Sequence, residues 1–111
     1  MPFPYAEFSF EERLKLSRAI KEKYPNHFPI LVDIIGRQAA RRKYLVPDTA
    51  TLSQLLRSIR RENAISEYEA IFIHSNNYML SPSQNITEIY SRHAHGDGFL
   101  YITVSFENTF G

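Results

Sequence analysis

The chain has 111 residues and a mass of 13.0 kDa, the size of one domain with one core. Thirteen basic against twelve acidic side chains leave a formal charge of +1, a balance that argues against nucleic acid as the partner, since that calls for a clearly basic surface. There is no cysteine, hence no disulfide framework, thiolate metal site or cysteine nucleophile. No apolar run approaches the ~18 residues of a membrane span, and Met1-Pro2-Phe3-Pro4-Tyr5 lacks the basic and apolar regions of a signal peptide, so a small soluble intracellular domain is expected.

The first eight residues, with two prolines and three aromatics, have the composition of a short docked arm. Ser9 opens a helix, with Glu12 at the reciprocal capping-box spacing. At about 100° per residue, Phe10, Leu14, Leu16, Ile20 and Tyr24 fall on one amphipathic face, into which Arg13 and Lys21 intrude. Pro25 stops the helix. Residues 27–35 are rich in aliphatic and β-branched side chains and predict a strand; Pro29 favours an edge or strand-start position for it. Gly36 begins a turn, and residues 41–47 (RRKYLVP) return as a second strand, so that a hairpin is expected.

Thr51 and Gln54 form a second capping-box pair. Leu52, Leu55, Leu56 and Ile59 follow at i, i+3, i+4 and i+7, the spacing of a buried helix face. Burial of each contributes roughly 1.5–3 kcal/mol before entropy. Residues 70–75 (AIFIHS) predict a short buried strand, Asn76-Asn77 a turn that tolerates positive φ, and Tyr78-Met79-Leu80 a brief strand. Asn85 with Glu88 is expected to cap a third helix whose face is Ile86, Ile89, Tyr90 and His93. Gly96 and Gly98 end it. Residues 99–106 (FLYITVSF) predict a nearly continuous apolar strand at the centre of a sheet. After the first helix the order is hairpin, helix, strand, short strand, helix, strand. This is the order of an α+β, ubiquitin-like β-grasp, with residues 1–26 as an added helical arm, 27–106 as the grasp and 107–111 as a flexible tail.

Most chemistry-bearing motifs have structural explanations. On a helix, His93 and His95 point about 200° apart, which is wrong for a metal pair, and zinc needs further converging ligands. Asn85-Ile86-Thr87 matches a glycosylation sequon, but reads as a helix N-cap in a chain of this kind. Gly96-x-Gly98 is too short for a phosphate loop. No catalytic constellation is recognisable, so neither an enzyme nor a bound cofactor is expected. The strand Arg41-Arg42-Lys43-Tyr44-Leu45-Val46-Pro47 stands out: alternation sends Arg41, Lys43 and Leu45 to one face and Arg42, Tyr44 and Val46 to the other. Its charges suit a protected sheet edge.

The segments EKYPNHFPILVD (22–33), KYLVP (43–47), AIFI (70–73) and DGFLY…ENTFG (97–111) run in order along nearly the whole chain. In these the sequence resembles the autophagy ubiquitin-like modifiers, the family of the GABA-receptor-associated protein and the microtubule-associated light chains. The resemblance implies a β-grasp with two added N-terminal helices and a reactive terminal glycine. Gly111 would be adenylated by an activating enzyme using ATP and Mg²⁺, passed as a thioester to a conjugating enzyme, and amide-linked to phosphatidylethanolamine of the autophagosomal membrane. A cysteine protease would process and deconjugate it. An acyl carbon on a residue without Cβ is the least hindered for such transfers. The lipid would supply membrane affinity at about 0.8 kcal/mol per buried methylene. The chain would be cytoplasmic and monomeric when free, and on the autophagosome when lipidated.

The resemblance also implies that cargo receptors and adaptors bind through aromatic-x-x-aliphatic peptides by strand addition to Lys43–Val46. The aromatic anchor would meet Ile20, Pro29, Leu31, Lys43, Leu45 and Phe99; the aliphatic anchor would meet Tyr44, Val46, Pro47 and Leu55, with Ala50 and Ser58 alongside. Ala50 and Ser58 are smaller or more polar than is usual there, so the aliphatic preference should shift toward larger side chains. Affinity should be roughly micromolar, about −8 kcal/mol. A non-conjugated peptide-binding adaptor of the same fold is the alternative.

Overall fold

The computed structural model describes residues 7–36 and 39–107. Ser9 Oγ accepts a hydrogen bond from the Glu12 N–H at 3.1 Å and opens α1, Phe10–Lys23. Then follow β1 (His27–Ile34), β2 (Ala40–Pro47), α2 (Leu52–Glu62), β3 (Phe72–Ser75), β4 (Tyr78–Met79), α3 (Ile86–His93) and β5 (Leu100–Ser105). One helix therefore precedes β1 among the described residues. The expected docked arm, residues 1–6 of it, and the tail from 108 onward lie outside them.

The sheet order is β2-β1-β5-β3-β4. The hairpin pairs antiparallel, β5 lies parallel to β1, and the apolar last strand is central, as its composition requires. Alternation gives the sheet two unlike faces. One carries Ile30, Val32, Ile34, Val46, Ile73, Leu100, Ile102 and Val104 into the main core with Leu52, Leu55, Leu56 and Ile59 of α2 and Ile86 and Ile89 of α3. The other carries Leu31, Phe99 and Tyr101, which form a small separate cluster against Ile20 of α1.

Two expectations need correction. Pro29 is neither at a sheet edge nor at the first strand residue: β1 lies between β2 and β5. It is tolerated because the β5 ladder begins one residue later, at Ile30↔Leu100, so no bond is lost. Asn85 is the N-cap of α3 but its side chain makes no capping bond. Backbone does that work: Asn85 bridges Thr51 and the Ile86 N–H donates to Ala50 O at 2.9 Å. At the head of α2 the full Thr51/Gln54 capping box forms, while the Leu52 and Ser53 N–H groups donate to Gln84 O and Pro82 O. The two helix starts are thus tied to each other.

Helix α1 docks differently. Its only fully buried residue is Ser17, and its cations do the holding. Asp97 is fully buried; Arg13 reaches it at 3.5 Å, the Tyr101 hydroxyl donates to it at 2.5 Å and the Phe99 N–H at 2.9 Å. Ser17 Oγ donates to the Asp97 carbonyl, also at 2.5 Å. Lys21 lies 4.4 Å from the Tyr90 ring, which is itself stacked on Phe28 at 4.2 Å. The residues that spoil the apolar stripe of α1 are therefore its attachments. No helix among the described residues is long and apolar enough to cross a membrane.

Candidate functional site

Among the described residues strand β2 is an end strand of the sheet, so one side of its backbone has no strand partner there. Which residues present that side follows from parity. The Asp48 N–H donates to Asn26 O at 2.9 Å, which makes the register position just before His27↔Pro47 a bonded pair. Bonded and non-bonded pairs alternate along an antiparallel ladder. Leu31↔Lys43 and Pro29↔Leu45 are then non-bonded, and a proline opposite Leu45 costs no ladder bond. Lys43 and Leu45 accordingly turn their N–H and C=O groups outward, whereas Tyr44 and Val46 turn theirs toward β1.

A hollow lies on each face of this edge. On the α1 face, Ile20, Tyr24, Pro29, Lys43, Tyr44 and Leu45 line a space of about 250 Å³. On the α2 face, Tyr44, Leu45, Val46, Pro47, Ala50 and Leu55, together with Thr49, Gln54 and Ser58, line one of about 360 Å³. Tyr44 and Leu45 belong to both. Leu45 is 40% exposed although apolar.

Of the residues expected at the first anchor, Ile20, Pro29, Lys43 and Leu45 come together in the first hollow. Leu31 and Phe99 do not line it: they are 1% and 0% exposed and pack beneath, against Tyr101 and Ile20. All six residues expected at the second anchor line the second hollow. Tyr24, Thr49 and Gln54 were not anticipated in either set. Tyr24 had a signal, since it closes the apolar face of α1; Gln54 belongs to the capping box of α2, which was the evident reason for its presence, and Thr49 carries no local signal. Gly111, the expected conjugation residue, lies outside the described residues.

The electrostatics of the edge are mild. Burial, and next the Glu62 carboxylate, push the Tyr44 phenol above its ordinary value, so it is a neutral wall. Arg42 Nε donates to Asn63 Oδ1 at 3.2 Å, fixing β2 to the end of α2. Arg41 lies 3.9 Å from Asp33, whose carboxyl burial raises above its usual range against the opposing pull of Arg41. Arg41, Arg42 and Lys43 are all exposed, giving the edge a positive border. His93 packs on Tyr78 with ring centroids 5.4 Å apart and His95 sits 3.4 Å from Asp97; among the described residues no group of three His, Asp or Glu could hold a metal ion.

Comparison with known proteins adds a consistent set of relatives. The family model described as autophagy protein Atg8, ubiquitin-like, matches residues 12–111. Autophagy-related protein 8 of Schizosaccharomyces pombe is 40% identical over 109 residues, covering 95% of this chain and 90% of its own length. Autophagy-related protein 8a of Arabidopsis thaliana is 36% identical over 105 residues, covering 91% and 86%. Among solved structures, Trypanosoma brucei ATG8 superposes with a TM-score of 0.87 at 28% identity over the whole of both chains. Plasmodium falciparum Atg8, solved in complex with a Plasmodium falciparum Atg3 peptide, gives 0.82 at 25% identity over 97% of this chain and 98% of that one.

Proposed function

Because the chain belongs to the Atg8 family and is thereby an autophagy ubiquitin-like modifier and not itself an enzyme, we propose that it is joined through Gly111 to phosphatidylethanolamine and gathers partners along β2. The observation that carries the peptide-binding half is the unpaired edge of β2 flanked by a hollow on each face. Side chains of an added strand alternate faces, so residues three apart point to opposite sides. An aromatic-x-x-aliphatic segment laid along Lys43 and Leu45 would therefore send its first anchor to the α1 face and its second to the α2 face. Outward N–H and C=O groups supply the main-chain bonds of strand addition. The exposed Arg41, Arg42 and Lys43 would draw acidic residues beside the motif, each such pair adding only about 0–1 kcal/mol, so the two anchors carry the affinity.

The conjugation half rests on family membership, the family model matching as far as Gly111. The Plasmodium relative was solved with an Atg3 peptide, which supports a conjugating enzyme among the partners of this chain, with an activating enzyme and a deconjugating cysteine protease completing the cycle. Lipidation would move the protein from the cytoplasm to the autophagosomal membrane. One reconstitution tests both halves: the chain with its activating and conjugating enzymes, ATP and phosphatidylethanolamine liposomes, followed by capture of an aromatic-x-x-aliphatic peptide on the liposomes. Deleting Gly111 should abolish liposome attachment, and Leu45→Arg should abolish peptide capture by attached protein. Attachment without Gly111, or undiminished capture by Leu45→Arg, would overturn the respective half.

A further inference from the structure

We propose that the hollow on the α2 face selects a side chain with an apolar body and a hydroxyl tip, so that tyrosine, rather than an aliphatic residue, is the preferred second anchor. This rests on the reading of β2 as the peptide-binding edge. The second hollow is the larger of the two, about 360 Å³ against 250 Å³, and Ala50 leaves room where a bulkier residue would fill it. Its chemistry also differs. Val46, Pro47 and Leu55 form apolar walls, but Thr49, Gln54 and Ser58 bring polar groups to the rim.

Those polar groups have spare capacity. Gln54 Oε1 is committed to the Thr51 N–H at 2.9 Å within the capping box. Among the described residues the hydroxyls of Thr49 and Ser58 make no hydrogen bond to protein. In the free protein water satisfies them. An aliphatic anchor displaces that water and returns nothing, which leaves hydroxyls desolvated at a cost. A phenol both donates and accepts, and its ring spreads a large apolar area on the walls before the hydroxyl reaches the rim. The first hollow is the smaller, and Ile20, Pro29 and Leu45 frame it with the rings of Tyr24 and Tyr44 and one charged group, Lys43; without a short aliphatic hydroxyl beside its apolar walls, it suits a purely apolar aromatic face.

The experiment is calorimetry on the full chain with four peptides of one sequence. Three carry tryptophan as first anchor and leucine, phenylalanine or tyrosine as second; the fourth has alanine in place of tryptophan and tyrosine as second. The tyrosine peptide should bind about three- to tenfold tighter than the phenylalanine peptide, the range of one net hydrogen bond, and tighter still than the leucine peptide. In the Thr49→Ala/Ser58→Ala chain the tyrosine advantage over phenylalanine should fall below about twofold while phenylalanine binds no weaker than to the unaltered chain. Leucine binding tightest, or a tyrosine advantage that survives the double substitution, would overturn the inference and leave the edge reading standing. Equal binding of all four peptides, or binding by none, would instead remove the edge reading and this inference with it.

Discussion

The buried Asp97 carboxylate offers the sharpest test of how the fold is held. It is fully enclosed and compensated by Arg13 at 3.5 Å, the Tyr101 hydroxyl at 2.5 Å and the Phe99 N–H at 2.9 Å. Asp97→Ala removes the acceptor that all three share, and breaking a buried ion pair in this way costs about 3–5 kcal/mol. Tyr101→Phe removes one bond to a charged group and leaves the other two, for about 1.5–3 kcal/mol. A domain of this size is stable by about 5–15 kcal/mol, so the first change consumes a large share of the total. Urea unfolding at neutral pH would measure both. The double variant should lose less than the sum, because Tyr101 acts through Asp97. Alkaline titration supplies a second reading. Burial first, then the hydrogen bond to Asp97 and its charge, hold the Tyr101 phenol well above its ordinary value of 10.0. The folded state therefore keeps this proton when the unfolded chain has lost it. The resulting stability is complete below pH ~10 and is lost as pH rises from there toward the folded value. Wild type should lose stability above pH ~10 more steeply than Tyr101→Phe. An Asp97→Ala cost under about 1 kcal/mol, or identical alkaline slopes, would refute the clasp as the attachment of α1.

Burial lowers the pKa of His74 from its ordinary 6.5, so the folded state favours the neutral ring; its contribution is present above pH ~6.5 and is lost as pH falls. Urea midpoints between pH 7 and 5 should fall more in wild type than in His74→Leu, and equal slopes would contradict the assignment. Gly98 has φ +90°, and a Cβ there would lie 2.9 Å from Ser17 Cβ. Gly98→Ala should therefore cost about 1–3 kcal/mol for the backbone alone and more for the collision. In a Ser17→Gly background the collision is absent, so the penalty should shrink by at least about 1 kcal/mol; thermal unfolding of the four chains would show an unchanged penalty if the contact is immaterial.

What the sequence disclosed, and what it withheld, follows from the range of the forces involved. Leu52, Leu55, Leu56 and Ile59 lie within two turns, so their shared face is legible without any tertiary knowledge, and all four are buried. The apolar run of β5 signals coverage on both faces for the same local reason. Arg13 and Lys21 could be seen only as intruders, because the groups that explain them, Asp97 and Tyr90, are more than sixty residues away in the chain. The Asn85 side chain resembles a cap in every local respect, yet the Thr51 bridge and the carbonyl of Ala50 take over the task from the start of another helix. Pro29 was misplaced because register decides its cost, and register is a property of three strands. In the candidate site the strand residues were legible through alternation and family likeness, but Leu31 and Phe99 needed the packing of α1 to show that they lie beneath the first hollow.

The two hollows differ in what sustains them. Walls of the second come from β2 and α2, and Val46, Ala50 and Leu55 are themselves members of the main core, so this hollow persists as long as the domain is folded. The first takes Ile20 from α1 and Tyr24 from its C-cap; the apolar seat of that helix is the small cluster of Leu31, Phe99 and Tyr101, and its polar fastenings are Asp97 and the Lys21 contact with Tyr90. Local opening free energies track such differences in buried apolar contact. Under the proposed reading an aromatic anchor would meet a wall held by the attachments of α1, the Asp97 clasp with Ser17 and Lys21, while the second anchor would meet one set by the core. A ligand in the first hollow would stabilise α1 in return, since a ligand that binds only the docked state shifts the equilibrium toward it. On that reading the clasp and a bound peptide would be linked through the helix without touching each other.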